Sequence, residues 1–271
     1  MKLIRTVFVL SIMCILAAGL SYSRPTVQSP DLKPAENAPV LKNQTLSWYV
    51  VRNKEHQKPR PNTEGGFALE KYAAYYTGSD EKVIFLTFDE GYENGYTTKI
   101  LDILKSNQVP AAFFVTEPYI QSHPDLVRRM VDEGHIVGNH SKTHPSMPSV
   151  TKDKAFFTRE LQSTASAFRK ITGKTMPLFF RPPKGEFSEK SLSMTQQLGY
   201  KTIFWSFAYE DWLIDKQPAP ESSLTKILNN THNGEIMLLH AVSSTNTAIL
   251  DQAIKDIKKQ GYRFGSLTEL K

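Results

Sequence analysis

From residue 82 onward, short runs of β-branched and aromatic residues alternate with longer segments that have a helical apolar pattern. The predicted strands span residues 83–88, 111–115, 135–137, 178–180, 201–207, 235–239 and 262–264. The predicted helices span residues 96–109, 124–134, 151–172, 188–199, 219–231 and 248–259. Such alternation implies a parallel sheet, and about seven steps favour a closed or nearly closed barrel over an open sheet. The sequence therefore predicts an α/β fold built on a barrel.

The turn after the first strand disfavours a common alternative. A Rossmann fold would place a glycine-rich phosphate loop there, with bare backbone amides facing the ligand. Here the turn at residues 91–95 contains Glu93 and directly follows Asp89 and Glu90. Negative charge would thus lie where a phosphate group should bind, which argues against a dinucleotide-binding sheet.

The N-terminus has the pattern of a secretory signal peptide. Lys2 and Arg5 form a basic segment, residues 6–20 are almost wholly apolar, and small residues follow at 21–23. This order is typical of a signal peptide, and the apolar run is shorter than the roughly 18 residues of a membrane span. We predict a signal peptide over residues 1–23 and a secreted or cell-envelope protein, with an uncleaved membrane anchor as the alternative.

Length, cysteine content and charge limit the folds and the binding partners expected of the mature chain. Removing 23 of 271 residues leaves 248, a length that suits a single α/β barrel. The only cysteine, Cys14, is lost with the signal peptide, so neither a disulfide nor a cysteine nucleophile is expected. Two basic and no acidic residues are also lost, so the formal charge falls from +6 to +4. That excess fits an anionic wall polymer but is too small and scattered for a nucleic-acid site.

The mature chain divides into three predicted parts. Residues 24–44 are rich in proline, serine, asparagine and charge, and we predict a linker. Residues 45–81 are aromatic but are broken by Pro59 and Pro61, and we predict an irregular N-terminal extension. Residues 82–270 contain the barrel. We expect a monomer with no protein partner.

Chemically active residue types cluster where the predicted strands end. In a parallel barrel these C-terminal ends share one rim, where catalytic side chains sit. The ends carry residues 89–90, 140–144, 181–185, 211–212 and 240. Asp89 and Glu90 end a buried strand, and buried carboxylates must be paired, hydrogen-bonded or bound to metal. Five converging groups indicate an active site, although the acid pair alone is equally consistent with a solvated turn.

Two histidines in this set have the spacing of metal ligands. His140 and His144 are four residues apart, so on one helical turn both imidazoles face the same way and can share a cation. A nearby carboxylate would complete a site with open positions for water and substrate. Other members are ambiguous alone: Arg181 is a carboxylate partner or a surface arginine, His240 is catalytic or structural, and Asp211 is functional or an ordinary loop acid.

The order and spacing of these groups resemble the five motifs of the polysaccharide deacetylases (carbohydrate esterase family 4, the NodB-homology domain). The matching segments are residues 87–90, 140–144, 181–185, 211–212 and 238–240. The match covers residues 82–270, and it implies a distorted (β/α) barrel and a metal-dependent hydrolase acting on the C–N bond of an acetamide. Residues 48–61, 88–97 and 205–209 further resemble the peptidoglycan N-acetylmuramic acid deacetylases, which initiate muramic δ-lactam formation in spore cortex.

The resemblance implies a role for each matched residue. Asp89 would be the general base that activates water, kept ionised by Arg181. His240 would protonate the leaving amine, positioned by Asp211. The implied ligands of a divalent metal ion, expected to be Zn²⁺, are Glu90, His140 and His144. The implied substrate contacts are the Lys184 backbone N–H at the oxyanion, with Trp212 and Leu238 at the acetyl methyl group.

Two positions depart from the family pattern. Glu90 stands where the family usually has a second aspartate, and Ala208 stands where an aspartate usually precedes Asp211 by three residues. Neither change removes the base or the acid. We therefore predict an active enzyme that deacetylates N-acetylmuramic acid in peptidoglycan strands, in the envelope of a sporulating cell and associated with the forespore. The alternatives are a deacetylase of N-acetylglucosamine, chitin oligosaccharide or acetylxylan, and a non-catalytic glycan-binding barrel.

Overall fold

The structure, a computed structural model, describes residues 40–52, 55–61 and 65–270. The predicted signal peptide with Cys14, and the predicted linker before residue 40, lie outside these residues. The helices are α1 (Thr97–Asn107), α2 (Glu117–Ser122), α3 (Pro124–Asp132), α4 (Lys154–Thr172), α5 (Glu189–Gln197), α6 (Pro220–Asn230) and α7 (Ser244–Lys259). The strands are β1 (Leu46–Ser47), β2 (Val50–Val51), β3 (Arg60–Pro61), β4 (Ala74–Tyr75), β5 (Val83–Glu90), β6 (Ala111–Val115), β7 (Ile136–Asn139), β8 (Phe179–Phe180), β9 (Glu186–Phe187), β10 (Lys201–Ile203), β11 (Glu235–His240) and β12 (Arg263–Phe264).

Parallel strands form one curled sheet at the centre of the fold. Its order is β11-β5-β6-β7-β8-β10-β4, and β12 also pairs with β5. The two edges approach each other, because Phe207, which follows β10, bridges Met237 of β11, and Thr77, which follows β4, bridges Glu235. The result is a curled half-barrel of seven parallel strands. The predicted α/β fold, a distorted (β/α) barrel of about seven strands, is confirmed.

Strand β5 is buried along its whole length, and its two faces belong to different layers. Side chains alternate between the two faces of a strand. Phe88 packs in the large core cluster that includes residues of α1 and α7, whereas Phe85 packs in the cluster inside the curl of the sheet. The same alternation points Asp89 toward the inside of the curl and Glu90 toward the helices.

The predicted elements are present, with differences at a few boundaries. The sequence pattern does not predict α2, whose 6 residues are too few to show a helical period. Strand β4 lies within the predicted irregular extension. The predicted strand 201–207 ends at Ile203, because the following backbone turns toward β11, where the Ser206 N–H donates to the Ile236 carbonyl oxygen at 3.0 Å. Helix α7 begins at Ser244, before the predicted residue 248.

The N-terminal extension packs against the barrel through backbone pairing and aromatic contacts. Strand β1 pairs antiparallel with β9, and the Trp48 ring stacks on Phe204 with centroids 4.4 Å apart. Both side chains are buried, and burial of an aromatic ring contributes roughly 2–3 kcal/mol. None of the helices in the described part of the chain has both the length and the apolar character needed to span a membrane.

Candidate active site

A cavity of about 800 Å³ opens where the strands of the sheet end. The predicted site residues that line it are Asp89, His140, His144, Lys184, Trp212, Leu238 and His240. Arg181 and Asp211 lie directly behind this wall, hydrogen-bonded to Asp89 and His240 respectively. The structure thus brings nine of the ten predicted residues together, as expected for residues at the C-terminal ends of parallel strands.

Asp89 is paired with a fully buried arginine. Arg181 Nη1 donates to Asp89 Oδ1 over 2.8 Å, and the guanidinium also donates to the carbonyl oxygens of Ile203 and Phe204 at 3.0 and 3.3 Å. Burial is the largest single effect and would raise the pKa of Asp89, but the charges of Arg181, His140 and His240 and the hydrogen bond from Arg181 together outweigh it, so the pKa is lowered. Asp89 is therefore ionised and able to accept a proton.

The two imidazoles have the separation that a shared cation requires. The His140 Nδ1 lies 2.8 Å from the Arg181 carbonyl oxygen, so Nδ1 is the donor and Nε2 is left to accept. His140 Nε2 and His144 Nε2 are 3.2 Å apart, and two nitrogens on a tetrahedral zinc ion would be roughly 3.4 Å apart. Burial lowers the pKa of both rings, that of His144 to about 4. The neutral pair thus fits a metal ion, with Asp89 Oδ2 3.7 Å from His140 Nε2.

Glu90 is not placed with the imidazoles. It is fully buried on the helix side of β5, and neither carboxylate oxygen has a hydrogen-bond partner among the described residues. Burial, together with the charges of Glu93 and Asp89, raises the pKa of Glu90 well above its usual range. Across residues 40–52, 55–61 and 65–270, no three His, Cys, Asp or Glu side chains are grouped to hold a metal ion. Adjacent residues of a strand face opposite sides, so Glu90 lies away from His140 and His144, and the geometry does not support the expectation that its carboxylate completes their metal site.

His240 is oriented by a buried carboxylate. Its Nδ1 lies 2.6 Å from Asp211 Oδ1, and its backbone N–H donates to Asp211 Oδ2 at 2.8 Å. Burial is the largest single effect and lowers the pKa of His240, but the charge and hydrogen bond of Asp211 together with the charge of Asp89 outweigh it, so the pKa is raised. Asn246 Nδ2 donates to Asp211 Oδ2 at 2.5 Å and fixes the carboxylate from the other side. His240 therefore has an orientation, and a direction of pKa shift, that suit a general acid.

The three predicted substrate contacts also reach the cavity. Trp212 is 44% exposed, and its ring lies 5.3 Å from the His240 ring, centroid to centroid. Leu238 forms a buried part of the wall. Lys184 lies in the 3₁₀ turn Pro183–Gly185 with φ of 60°, and no backbone acceptor in the described residues takes its N–H.

Proteins of known family are similar to this chain in sequence and in structure. A family model described as polysaccharide deacetylase matches residues 77–203. The chain is 45% identical to the peptidoglycan-N-acetylmuramic acid deacetylase PdaA of Bacillus subtilis over 237 residues, which are 87% of this chain and 89% of that protein. The chain belongs to the polysaccharide deacetylase family.

Solved structures support the same membership. The structure of Bacillus subtilis PdaA, a family 4 carbohydrate esterase, matches with a TM-score of 0.81 over 85% of this deacetylase and 98% of that chain. A family 4 carbohydrate esterase from Bacillus anthracis, 40% identical, matches with a TM-score of 0.69 over 85% and 97%. The predicted family and the predicted enzyme class, a hydrolase, are confirmed. Enzymes of this family are generally metal-dependent.

The sequence does not predict the contacts of two residues that shape the site of this deacetylase. Asn246 lies near the start of α7, which Ser243 caps. Its neighbours in the sequence do not indicate its hydrogen bond to Asp211. Trp48 reads as a core aromatic, yet its backbone N–H donates to the Gly185 carbonyl oxygen at 2.8 Å and its indole N–H donates to the Trp205 carbonyl oxygen at 2.9 Å. Trp48 therefore ties together two segments of the cavity wall.

We expect Trp48→Phe to lower kcat/KM of the deacetylase about 10-fold. The phenyl ring keeps the stacking on Phe204, but the Trp205 carbonyl oxygen loses its donor, and small displacements of a wall residue are costly for catalysis. Steady-state kinetics together with thermal unfolding give the measurement. Val51→Ala, at an exposed position of the same extension, is the control and should change neither. An unchanged kcat/KM in Trp48→Phe would contradict the role of the Trp48 indole in positioning the cavity wall.

Proposed function

We propose that this deacetylase removes acetate from N-acetylmuramic acid residues in peptidoglycan glycan strands. The observation that carries the proposal is that an ionised Asp89 and a histidine with a raised pKa, His240, line one cavity together with the imidazole pair. The choice of sugar is supported by the 45% identity to PdaA, which is named for that substrate. A Bacillus cereus protein named as a peptidoglycan-N-acetylglucosamine deacetylase is 32% identical.

The chain supplies a base and an acid in separate positions. Asp89, kept ionised by Arg181, takes a proton from the water that attacks the acetamide carbonyl carbon. His240, oriented by Asp211, donates a proton to the departing amine nitrogen as the C–N bond breaks. The Lys184 backbone N–H donates to the oxygen that becomes negative during attack. Acetate and the free amine of the sugar are the products, with Trp212 and Leu238 as the wall around the acetyl methyl group.

We include a divalent metal ion, Zn²⁺, in the proposal, with His140 and His144 as its protein ligands. Their facing Nε2 atoms and the anchored Nδ1 of His140 support this assignment. When bound, such an ion polarises the carbonyl group and acidifies water. Glu90 is left out of the ligand set, because its carboxylate is buried on the helix side of the sheet.

The experiment is mass spectrometry of muropeptides and glycan fragments after incubation with the protein, with and without a chelator. We expect loss of one acetyl group from each modified muramic acid residue, abolished by the chelator and restored by added Zn²⁺. His144→Ala is the matched variant, and added Zn²⁺ should not restore its activity at the same concentration.

Each other outcome of that experiment contradicts one part of the proposal. Acetyl loss only from N-acetylglucosamine would contradict the choice of sugar. Acetyl loss that persists with the chelator would contradict the metal. Binding to glycan without any acetyl loss, in the presence of Zn²⁺, would favour a non-catalytic glycan-binding barrel.

We also propose that the protein acts at the cell envelope, outside the cytoplasm, as a monomer on glycan strands. The signal-peptide pattern of residues 1–23 and the location of peptidoglycan support this. The resemblance to deacetylases that initiate muramic δ-lactam formation supports a role in spore cortex. Residues 82–270 remain our proposal for the deacetylase domain.

A further inference from the structure

Two lysines line the cavity, and they differ in their partners. Lys142 Nζ lies 3.7 Å from Glu117 Oε2, whereas the Lys184 ammonium has no carboxylate partner within the described residues. Of the acids that line the cavity, Asp89 is already paired with Arg181, and Glu210 is exposed to solvent. Lys184 is therefore the cation of this cavity that remains able to pair with a ligand.

The backbone at Lys184 is in a conformation that a lysine adopts at a cost. Its φ is 60°, in the left-handed region that glycine enters without strain. The side chain is exposed and contributes nothing to the core. A non-glycine residue kept in such a conformation without a packing role points to a function of its side chain.

Neighbouring contacts fix the turn that carries this lysine. The Gly185 N–H donates to the Pro182 carbonyl oxygen at 3.1 Å, and the Gly185 carbonyl oxygen accepts from Trp48 N–H at 2.8 Å. A side chain at Gly185 would collide with the Trp205 ring, since an added Cβ would lie 2.7 Å from it. The positive charge of Lys184 acts on His144 and helps to lower its pKa. The ammonium is thus presented beside the imidazole pair by a rigid turn.

N-acetylmuramic acid has a chemical group that suits this cation. Its lactyl ether is attached to the ring carbon next to the one that bears the acetamide, and its carboxylate is ionised near neutral pH. A sugar whose acetamide enters the cavity therefore places a carboxylate a few bonds away from the reacting group. N-acetylglucosamine has an uncharged hydroxyl group at that position.

We propose that the Lys184 ammonium binds the free lactyl carboxylate of a peptide-free muramic acid residue and so sets the preference of the enzyme for this sugar. This inference rests on the proposed function and adds the determinant of its specificity. An ammonium–carboxylate hydrogen bond in a partly enclosed cavity favours the charged ligand about 10-fold over a neutral one.

The test compares two glycans that differ only in charge. One is a peptide-free glycan with free lactyl carboxylates, and the other is the same glycan with each carboxyl group converted to its primary amide. We expect the wild-type kcat/KM for acetate release to be about 10-fold higher on the carboxylate form, mainly through KM. In Lys184→Gln the two values should become equal, and Lys184→Arg should restore most of the preference.

Two further variants keep the test decisive. Lys184→Gly removes the charge but suits the backbone conformation, so equal values there do not reflect misfolding. Lys142→Gln removes a cation that is already paired, and should keep the preference for the carboxylate form. Equal wild-type values on the two glycans, or a preference that survives in Lys184→Gln and Lys184→Gly, would overturn the inference while leaving the proposed function intact. Acetate release from neither glycan would overturn both.

Discussion

Asp89→Asn should lower kcat for acetate release by a factor of about 10²–10⁴. The side-chain amide has nearly the same shape as the carboxylate, but it cannot accept a proton from the attacking water. It also leaves the buried guanidinium of Arg181 without its anion. The measurement is the initial rate of acetate release from a muramic acid glycan at saturating substrate and with Zn²⁺ present.

The neighbouring acid provides a matched control for that variant. Glu90→Gln changes the next residue of β5 in the same way, but its side chain lies on the helix side, away from the cavity. We expect its kcat to stay within about 3-fold of the wild type, because the altered side chain faces away from the cavity. A loss in Glu90→Gln as large as in Asp89→Asn would mean that Glu90 belongs to the site. An active Asp89→Asn would contradict the assigned base.

Arg181→Met should destabilise the protein by about 3–5 kcal/mol and abolish measurable activity. Removing one partner of a buried ion pair leaves the other as an uncompensated buried charge, which is more costly than the loss of the pair itself. Arg181 also supplies donors to two backbone carbonyl oxygens, of Ile203 and Phe204. Urea unfolding gives the free energy, and acetate release gives the activity.

An exposed pair shows how much of this effect comes from burial. Arg128 Nη2 lies 2.5 Å from Asp125 Oδ1, yet the two side chains are 45% and 92% exposed. Arg128→Met should cost less than about 1 kcal/mol, because solvent screens such pairs. If Arg181→Met were equally mild, the buried pair would have no special role in the fold. The double variant Arg181→Met with Asp89→Asn should recover part of the lost stability, since the unpaired carboxylate is gone.

The succession of strands and helices along the chain and the rim of functional residues are predictable from sequence, because both depend on local patterns. A buried strand can be read from its composition, and the C-terminal ends of parallel strands must meet. His140, His144 and His240 lie at or just after the ends of such strands and line one cavity, and Arg181 lies directly behind its wall. Their roles in catalysis stay predictions until the variants above are measured.

The orientation of the Glu90 side chain can also be predicted from a simple rule of strand geometry, and this prediction differs from the ligand role that the family resemblance implies. Adjacent residues in a strand face opposite sides, so if Asp89 points into the cavity, its neighbour on a regular strand cannot. Strand β5 stays regular through Glu90, where it still pairs with Val115 of β6. An acid ligand at that position would require the strand to end or bulge one residue earlier.

Contacts between distant parts of the chain could not be predicted. The indole N–H of Trp48 reaches the carbonyl oxygen of a residue 157 positions later, and Asn246 reaches Asp211 across 35 positions. Neither pair has a spacing or composition that indicates contact, because tertiary packing alone brings them together. Such residues complete the site without belonging to any short motif.

The edge strand β4 limits how far the chain of this enzyme can be shortened from its N-terminus. Residues 74–75 pair in register with β10, and β1 pairs with β9 near the turn that carries Lys184. Residues 74–75 therefore belong to the barrel wall, and the described residues from 41 onward form one compact body. Folding of this body is expected to be cooperative from its first strand onward. We therefore expect the shortest stable chain that contains the proposed deacetylase domain to begin near residue 41, well before residue 82.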